Sequence, residues 1–538
     1  MRTAHSHPHS PARAPGSPPP PPGSSPGPAT LAVTGIATAL ALMNYTAPML
    51  TLPAMAEAFG TPSSAQAWLL NGTPLGLAAL LLVAGALADA HGRRRVFLLG
   101  TLALGVTTAL GAIAGSTALF TAARIAQGAA SAAVLAGSLG LLADAYPSGR
   151  DRIRATGVWG AAVSGGIALG PLLAGALSPV DWRLAYAALG AATLLTAAAG
   201  TRTLARPEGP GPTAGRSAPG LSAPGLSAPG RPGPSTAEPS ATGQSALERS
   251  AAAQSPTERS AAERSAAAQS TAARSAAEPL SPARSGRRRP DLAGATTLAL
   301  ALGTLLTALT LGRDGWLRPV IGVLLLAGLA LTALFLRVER RAAQPMIDLG
   351  LLRRPEFRVA TVGALFTGLA VIGLFSVVPA LIQRGAGMAP LAAAWLFVLW
   401  SGTGFVVALQ ARRLAGRLSA PHQLALGFVL SAAGVLALLG ALDSPSLPWP
   451  RLVTGLVVAG AGSGLLNAAL PRLAVDSVPP ERAAMGSGAN NTARYIGSAA
   501  GVALMLALSA AGPDAAVAAS AVLALAGAAL TVAGSPRR

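Results

Sequence analysis

Apolar residues in this chain come in long unbroken runs, not in the alternation of half-buried strands or the one-sided stripes of surface helices. A helix that crosses a bilayer needs about 20 such residues. By that rule the sequence predicts spans at about 29–50, 66–88, 96–115, 118–143, 155–177 and 183–203. Eight more follow at about 292–312, 318–337, 358–382, 389–410, 421–441, 451–472, 492–510 and 514–533, for a total of fourteen. Gly and Asn blur the pattern in 451–472 and 492–510. Two polar tracts interrupt the runs. Residues 1–28 are rich in Pro, Ser and His, and residues 204–290 are rich in Ser, Ala, Pro, Gly and Arg. The second tract repeats Ser-Ala-Pro-Gly from Ser217, Ser222 and Ser227, repeats Glu-Arg-Ser-Ala-Ala from Glu248, Glu258 and Glu263, and contains no aromatic residue. Neither tract buries enough to fold, so both are expected to be disordered. The first apolar run starts near Leu31, too deep for a cleavable signal, and reads as an uncleaved span. The expected organisation is a tail (1–28), an N-terminal six-helix half (29–203), an insert (204–290), two extra central helices (291–337), a cytoplasmic loop (338–357) and a C-terminal six-helix half (358–538).

Composition agrees with an all-α integral membrane protein. Of 538 residues, 51% are hydrophobic and 11% charged, against roughly 25% charged in ordinary soluble chains. Mean hydropathy is +0.52. The absence of cysteine excludes disulfides and thiolate zinc sites. Three of the five histidines (His5, His7 and His9) sit in the tail, and no metal site is expected. The net charge of +20, with arginine as the basic residue throughout, fits either a nucleic-acid footprint or the excess of cytoplasmic positive charge in a multi-span protein. Placement favours the second. With a cytoplasmic N-terminus, inner segments hold Arg93–Arg95, Arg150, Arg152, Arg154, the insert, the 337–358 loop, Arg412, Arg413, Arg417, Arg472, Arg482, Arg537 and Arg538. Outer loops keep Arg183, Arg313, Arg318, Arg384 and Arg451, and Arg124 is read as the one arginine within a span. An even span count puts both termini in the cytoplasm. A distant internal repeat, Asp144-Ala-Tyr-Pro147 and Asp476-Ser-Val-Pro479, each followed by an arginine, supports two related halves. No phosphate-binding loop is present, so ATP hydrolysis is not expected.

Three motifs carry a family resemblance. The run from Gly85 to Arg95, with Asp89, Gly92, Arg93 and Arg94 in register, resembles the loop 2–3 signature of the major facilitator superfamily. Arg124-Ile-Ala-Gln127-Gly resembles the superfamily's R-x-x-Q-G element. Gly157, Gly166, Gly170-Pro171 and Gly175 resemble its antiporter motif, with Ala174 in place of one glycine. Residues around Asp291, Trp316 and Pro345–Asp348 extend the likeness to the 14-helix drug:proton antiporter branch. The resemblance implies a major facilitator fold of two six-helix halves plus two central helices. It also implies a conformational-switch role for Gly85, Asp89, Gly92, Arg93 and Arg94, and a coupling role for Arg124.

The sequence departs from that branch in span one, where Asn44 stands at the place of a common acid. None of the twenty acids falls mid-span by these boundaries. A buried carboxylate is the usual proton carrier and counter-charge for cationic drugs. Its absence favours a neutral or anionic amphiphile facing Arg124. Coupling and cavity candidates are Arg124, Gln127, Asn44 and Asn71. Tyr45, Trp68, Trp159, Trp395, Trp400, Asn467, Asn490 and Asn491 are further cavity candidates, with helix packing as the alternative for each. Trp182, Trp316 and Trp449 read as interface-belt residues. The expected function is a proton-coupled exporter of hydrophobic drugs or natural products at the plasma membrane. It would be monomeric, with a small hydrophobic substrate and the bilayer as partners, no nucleic acid, no cofactor beyond the proton gradient, and no enzymatic activity. An uptake symporter and a membrane sensor or scaffold remain the alternatives.

Overall fold

The computed structural model describes residues 27–146, 149–204, 292–311, 318–342, 349–414, 418–444, 448–478 and 483–534. Nearly all of the expected tail and insert lies outside these residues, as do Pro147, Trp316 and residues 479–482 of the repeated loops. The first half contains α1 (Gly27–Thr46), α2 (Pro48–Ala58), α3 (Gln66–His91), α4 (Arg93–Ala112), α5 (Thr117–Ala145), α6 (Gly149–Leu177) and α7 (Arg183–Thr203). Two central helices follow, α8 (Leu292–Leu311) and α9 (Pro319–Arg341). The second half contains α10 (Pro355–Phe366), a π-helical stretch (Thr367–Ile372), α11 (Gly373–Phe375), α12 (Val378–Gly385), α13 (Pro390–Leu414), α14 (Ala420–Leu436), α15 (Trp449–Asp476), α16 (Ala483–Ser509) and α17 (Pro513–Ala533).

Among the described residues, twelve helical spans are long and apolar enough to cross a membrane. The fourteen expected from sequence are not confirmed. α14 has 17 residues, about 25 Å of helix against a hydrocarbon core of about 30 Å. The apolar run at 421–441 hid this shortening, because the chain leaves the helix at Ala437 and turns at Gly440, whose φ is +66°.

The first span of each half is broken. Pro48 carries no N–H, so the helix from Gly27 bends at Ala47 and restarts as α2. In the second half the π-helical stretch and the turn at Ser376–Val377 interrupt the span that begins at Pro355. Single π-turns inside helices recur at functional sites. The broken segments are held by close backbone packing. A methyl on Gly368 would overlap the Arg494 carbonyl of α16, and a methyl on Gly373 would come within 2.7 Å of the Gly501 backbone. In the first half, a methyl on Gly128 of α5 would overlap the Thr73 carbonyl and come within 2.9 Å of Gly76 and Leu77 in α3. Without water to drive helices together, such close approach between small residues is a main source of cohesion.

The halves meet along two seams, α3 against α16 and α6 against α13. The central helix α8 packs on α9 and also against α3 and α16. Gly128→Ala should therefore destabilise the purified protein by about 1–3 kcal/mol through overpacking. Gly157→Ala, where an added methyl meets nothing within 4 Å, should stay within about 0.5 kcal/mol. Thermal unfolding of the two variants in one detergent checks the contrast, and equal losses would contradict this packing.

Candidate functional site

The polar centre of the first half grows from Pro48. The N–H that Pro48 lacks would have bonded the carbonyl of Asn44, four residues back. That carbonyl instead accepts from Arg124 Nη1 at 2.6 Å. The same Nη1 donates to Gln127 Oε1 at 2.6 Å, and Nη2 reaches the Tyr45 carbonyl at 3.4 Å. Gln127 is anchored by donating Nε2 to the Thr107 carbonyl at 3.1 Å. Asn44 is anchored from both ends, donating to the Leu40 carbonyl at 3.1 Å and accepting from Thr108 Oγ1 at 3.1 Å. Arg124, Gln127 and Asn44 are all 0% exposed. The structure thus brings together three of the four expected coupling residues. No carboxylate joins them. Among the described residues, ion pairs with both partners resolved lie near helix ends (Arg93–Asp144, Arg183–Asp181, Arg472–Asp476).

A second arginine lies within a span, contrary to the sequence count. Arg494 sits on α16, inside the span Met485–Ser509. Its Nη2 donates to Asn491 Oδ1 at 2.8 Å, its Nη1 reaches Asn467 Oδ1 at 3.4 Å, and its guanidinium lies 5.5 Å from the Tyr495 ring centre. The Gly- and Asn-rich sequence around it masked the span core, although the run Asn490-Asn491-Thr492-Ala493-Arg494-Tyr495 carried the signal. Glu339 is the one buried acid among the described residues, and it lies near the end of α9.

Among the described residues, four side-chain hydrogen bonds tie the halves together. Tyr45 and Ser498 share their hydroxyls at 2.9 Å, and the Tyr45 ring meets Tyr495 edge-on at 6.0 Å. Asn71 Nδ2 donates to the Ala499 carbonyl at 2.9 Å, while its Oδ1 is buried without a partner. Gln383 donates to the Leu50 carbonyl at 3.1 Å, and Arg384 to Gln66 Oε1 at 3.0 Å. Beside the Arg384–Gln66 contact is a cavity of about 320 Å³, also lined by Asp443 and Ser509.

The opposite end of the α6–α13 seam is parted. Gly175 and Gly157 lie eighteen residues apart on α6, about five full turns, and so share one azimuth. Gly175 abuts Pro390 and Leu391 of α13, whereas an added methyl on Gly157 or on Gly402 of α13 meets nothing within 4 Å. The α6–α13 seam is therefore closed at its Gly175 end, the side of Gln383 and Arg384, and parted toward the end that carries Arg93–Arg95, while the α3–α16 seam keeps a contact nearer that end, Leu82 against Gly488.

The remaining sequence candidates fall in several places. Gly166 and Gly170 seat α6 against Ala39 and Met43 of α1, just before its bend, and Pro171 lies inside α6. Gly92 makes the one-residue turn between α3 and α4 at φ +97°, a conformation that favours glycine. Arg93 bonds the Gly140 carbonyl and Asp144 at the end of α5, and Arg94 caps the end of α7 through the Thr201 and Leu204 carbonyls. Gly85 meets nothing within 4 Å. The Asp89 side chain lies outside the described residues. Trp159 donates to Thr38 and Ser138, both at 3.0 Å, as an internal tie of the first half. Trp400 stacks on Phe375 at 4.2 Å within the second half, and Trp395 is 59% exposed. Trp68 is half-buried on α3. Asn490 donates to the Ala360 carbonyl at 3.0 Å, a packing contact. Trp182 is 4% exposed, among Phe59, Phe120 and Tyr186, and so is a core residue and not a belt residue; Trp449, at 50%, is exposed.

Comparison with known proteins places this geometry. A sequence model of the Major Facilitator Superfamily matches residues 34–233 and 265–502. The multidrug resistance protein Stp of Mycobacterium tuberculosis is 26% identical over 483 residues, 88% of this chain and 74% of its own. The puromycin resistance protein pur8 of Streptomyces alboniger is 26% identical over 482 residues, 88% and 80% of the two chains. Among solved structures, a peptide transporter POT aligns with a TM-score of 0.60 at 15% identity over 94% of this chain and 93% of its own. An inward-facing bacterial homolog of the lysosomal transporter Spinster aligns at 0.59 and 15% identity, over 95% and 97%.

Pro48→Ala restores the N–H that competes for the Asn44 carbonyl. It should lower stability by about 1–3 kcal/mol, the cost of weakening a buried charged donor's bond. Tyr45→Phe, which loses one neutral bond to Ser498, should cost about 1 kcal/mol. Thermal unfolding checks both, and an unchanged midpoint for Pro48→Ala would separate the bend from Arg124.

Proposed function

The chain belongs to the Major Facilitator Superfamily, and on that premise we propose that it exports hydrophobic drugs or natural products across the plasma membrane, driven by a proton gradient. The observation that carries the reading is the pairing of a closed outer end with a parted α6–α13 seam at the arginine-rich end. By the positive-inside rule the arginine-rich end faces the cytoplasm. The α6–α13 side of the contact between the halves is then parted toward cytoplasm and inner leaflet, where an exporter loads. The names of the relatives, among them a multidrug resistance protein, a puromycin resistance protein and a probable actinorhodin transporter of Streptomyces coelicolor, support export. Gly166 and Gly170 support it further, since they couple α6 to the bend of α1 beside Arg124.

In this reading the cycle is alternating access about the midplane. Cargo enters from the cytoplasmic side, the α6–α13 seam closes around it, and the outer contacts of Gln383, Arg384 and Asn71 break. The buried, unpartnered Oδ1 of Asn71 favours that opening, because parting the halves lets it reach water. The protein acts as a monomer, both termini lie in the cytoplasm, and no cofactor takes part.

Two measurements test the proposal. Expression in an efflux-deficient host should raise resistance several-fold to some compounds of a hydrophobic antibiotic and dye panel, and Arg124→Ala should abolish the increase. Unchanged susceptibility to every compound removes the export reading. The chain has no cysteine, so single cysteines report access directly. A charged maleimide should label Gly157→Cys from the cytoplasmic side and leave Gly175→Cys unlabelled. Arg384→Ala should weaken the outer closure and lower labelling of Gly157→Cys.

A further inference from the structure

Fixed charge at the contact between the halves has one sign. Arg124 and Arg494 both lie within spans, and no carboxylate pairs with either among the described residues. Arg124 is closed off, at 0% exposure and tied to the bend of α1. Arg494 is different. It is only partly buried, and it follows Asn490 and Asn491 and precedes Tyr495, whose ring meets Tyr45 of the other half. A guanidinium has five N–H donors. At Arg494 the structure fills one well, through Asn491 at 2.8 Å, and one at the long distance of 3.4 Å through Asn467. Nε is buried with no partner. Both amides are themselves oriented: Asn491 Nδ2 donates to the Ser487 carbonyl and Asn467 Nδ2 reaches Ser463. Their oxygens therefore face the guanidinium and fix its fork, while the Tyr495 ring supports one side.

We propose that Arg494, held by Asn467 and Asn491 and flanked by the Tyr45–Tyr495 pair, is the cargo-recognition subsite, and that it selects amphiphiles bearing a carboxylate or similar single anionic group. The inference deepens the export reading and rests on it. An oriented guanidinium with open donors bonds a carboxylate through two parallel N–H groups. The edge-on pair of Tyr45 and Tyr495, 9% and 5% exposed, forms an apolar wall beside the guanidinium. A cationic amphiphile finds no counter-charge here among the described residues and meets the Arg494 guanidinium.

Three probes of one size test it: 2-naphthoate, 2-naphthamide and 2-naphthylmethylammonium. Their dissociation constants are measured for the full-length protein in nanodiscs by calorimetry. Naphthoate should bind about tenfold more tightly than naphthamide, the gain of a charge-assisted bond, and the ammonium most weakly. Arg494→Gln should bring naphthoate down to the naphthamide level while leaving naphthamide unchanged, which also shows that the variant is folded. Arg494→Lys should keep part of the preference. Equal or tighter binding of the ammonium, a preference that survives Arg494→Gln, or no binding of any probe overturns the subsite. The resistance panel reads export separately. A chain that exports but prefers the ammonium loses the subsite alone, and one that binds naphthoate through Arg494 but confers no resistance loses the export reading alone.

Discussion

A guanidinium at 0% exposure, with no carboxylate paired to it among the described residues, sets the terms for the first half of this protein. Burying a charge in a bilayer-spanning bundle is expensive, and such residues persist where the surrounding structure meets them with oriented polar groups. At Arg124 the main partner is backbone. Pro48 withholds one N–H, the Asn44 carbonyl becomes available, and Arg124 takes it at 2.6 Å. Gln127 accepts from the same guanidinium nitrogen and is held by the Thr107 carbonyl, while Thr108 and the Leu40 carbonyl hold the Asn44 side chain. The bend and the buried charge are therefore one feature. Straightening α1 would orphan the arginine, and removing the arginine would leave a buried carbonyl unpaired.

The bend also links the site to movement between the halves. Tyr45 follows Asn44 directly and is bonded to Ser498 across the contact. On its other side α1 receives Gly166 and Gly170 of α6, and α6 continues to Gly175, where it touches α13. A change at the bend thus has short, packed routes to both seams. Gly128 and Gly368 act differently. They lock helices within a half through backbone contact, which deforms poorly, so each half is suited to move as a body. The hydrogen bonds that join the halves, by contrast, are few among the described residues and can break and re-form, as a rocking transition requires.

Much of this was legible in the sequence, and the gaps have identifiable causes. Long apolar runs announced the spans, because a bilayer demands about 20 residues each. The limit of α14 was blurred, since apolar turns read like apolar helix. The run 29–50 read as one unbroken span, although Pro48 within it is a break signal near Asn44; Arg124-x-x-Gln127 announced a polar site. What no local pattern carries is that these two places, eighty positions apart, are hydrogen-bonded. The family motifs located Gly166, Gly170 and Gly175 without distinguishing their neighbours, which depend on the crossing of helices. Arg494 was overlooked because Gly and Asn residues diluted the hydropathy around it. Trp159, Trp182 and Trp400 looked like cavity or belt residues, yet they pack internally, because an indole on a helix looks the same from sequence whichever face it occupies.

The charge inventory constrains how a proton gradient could drive this transporter. The described polar centre offers amides, hydroxyls and two arginines, none of which serves as a carboxylate proton carrier in the usual sense. The buried acid that does exist, Glu339, lies near the end of α9 and away from Arg124's partners. Under proton-driven export, the carrier must then sit off the central contact, at a helix end or on the central pair of helices. Coupling and cargo recognition would occupy different places. Their communication would have to run through the one structure that both halves share at mid-span: the bend of α1, with Arg124 behind it and Tyr495 and Arg494 in front. In that arrangement cargo charge acts on the bend directly. An anion at Arg494 offsets the positive field on Arg124 across the Tyr45 backbone, whereas a cation adds to it. Selection by charge and readiness to change conformation would then share one physical origin.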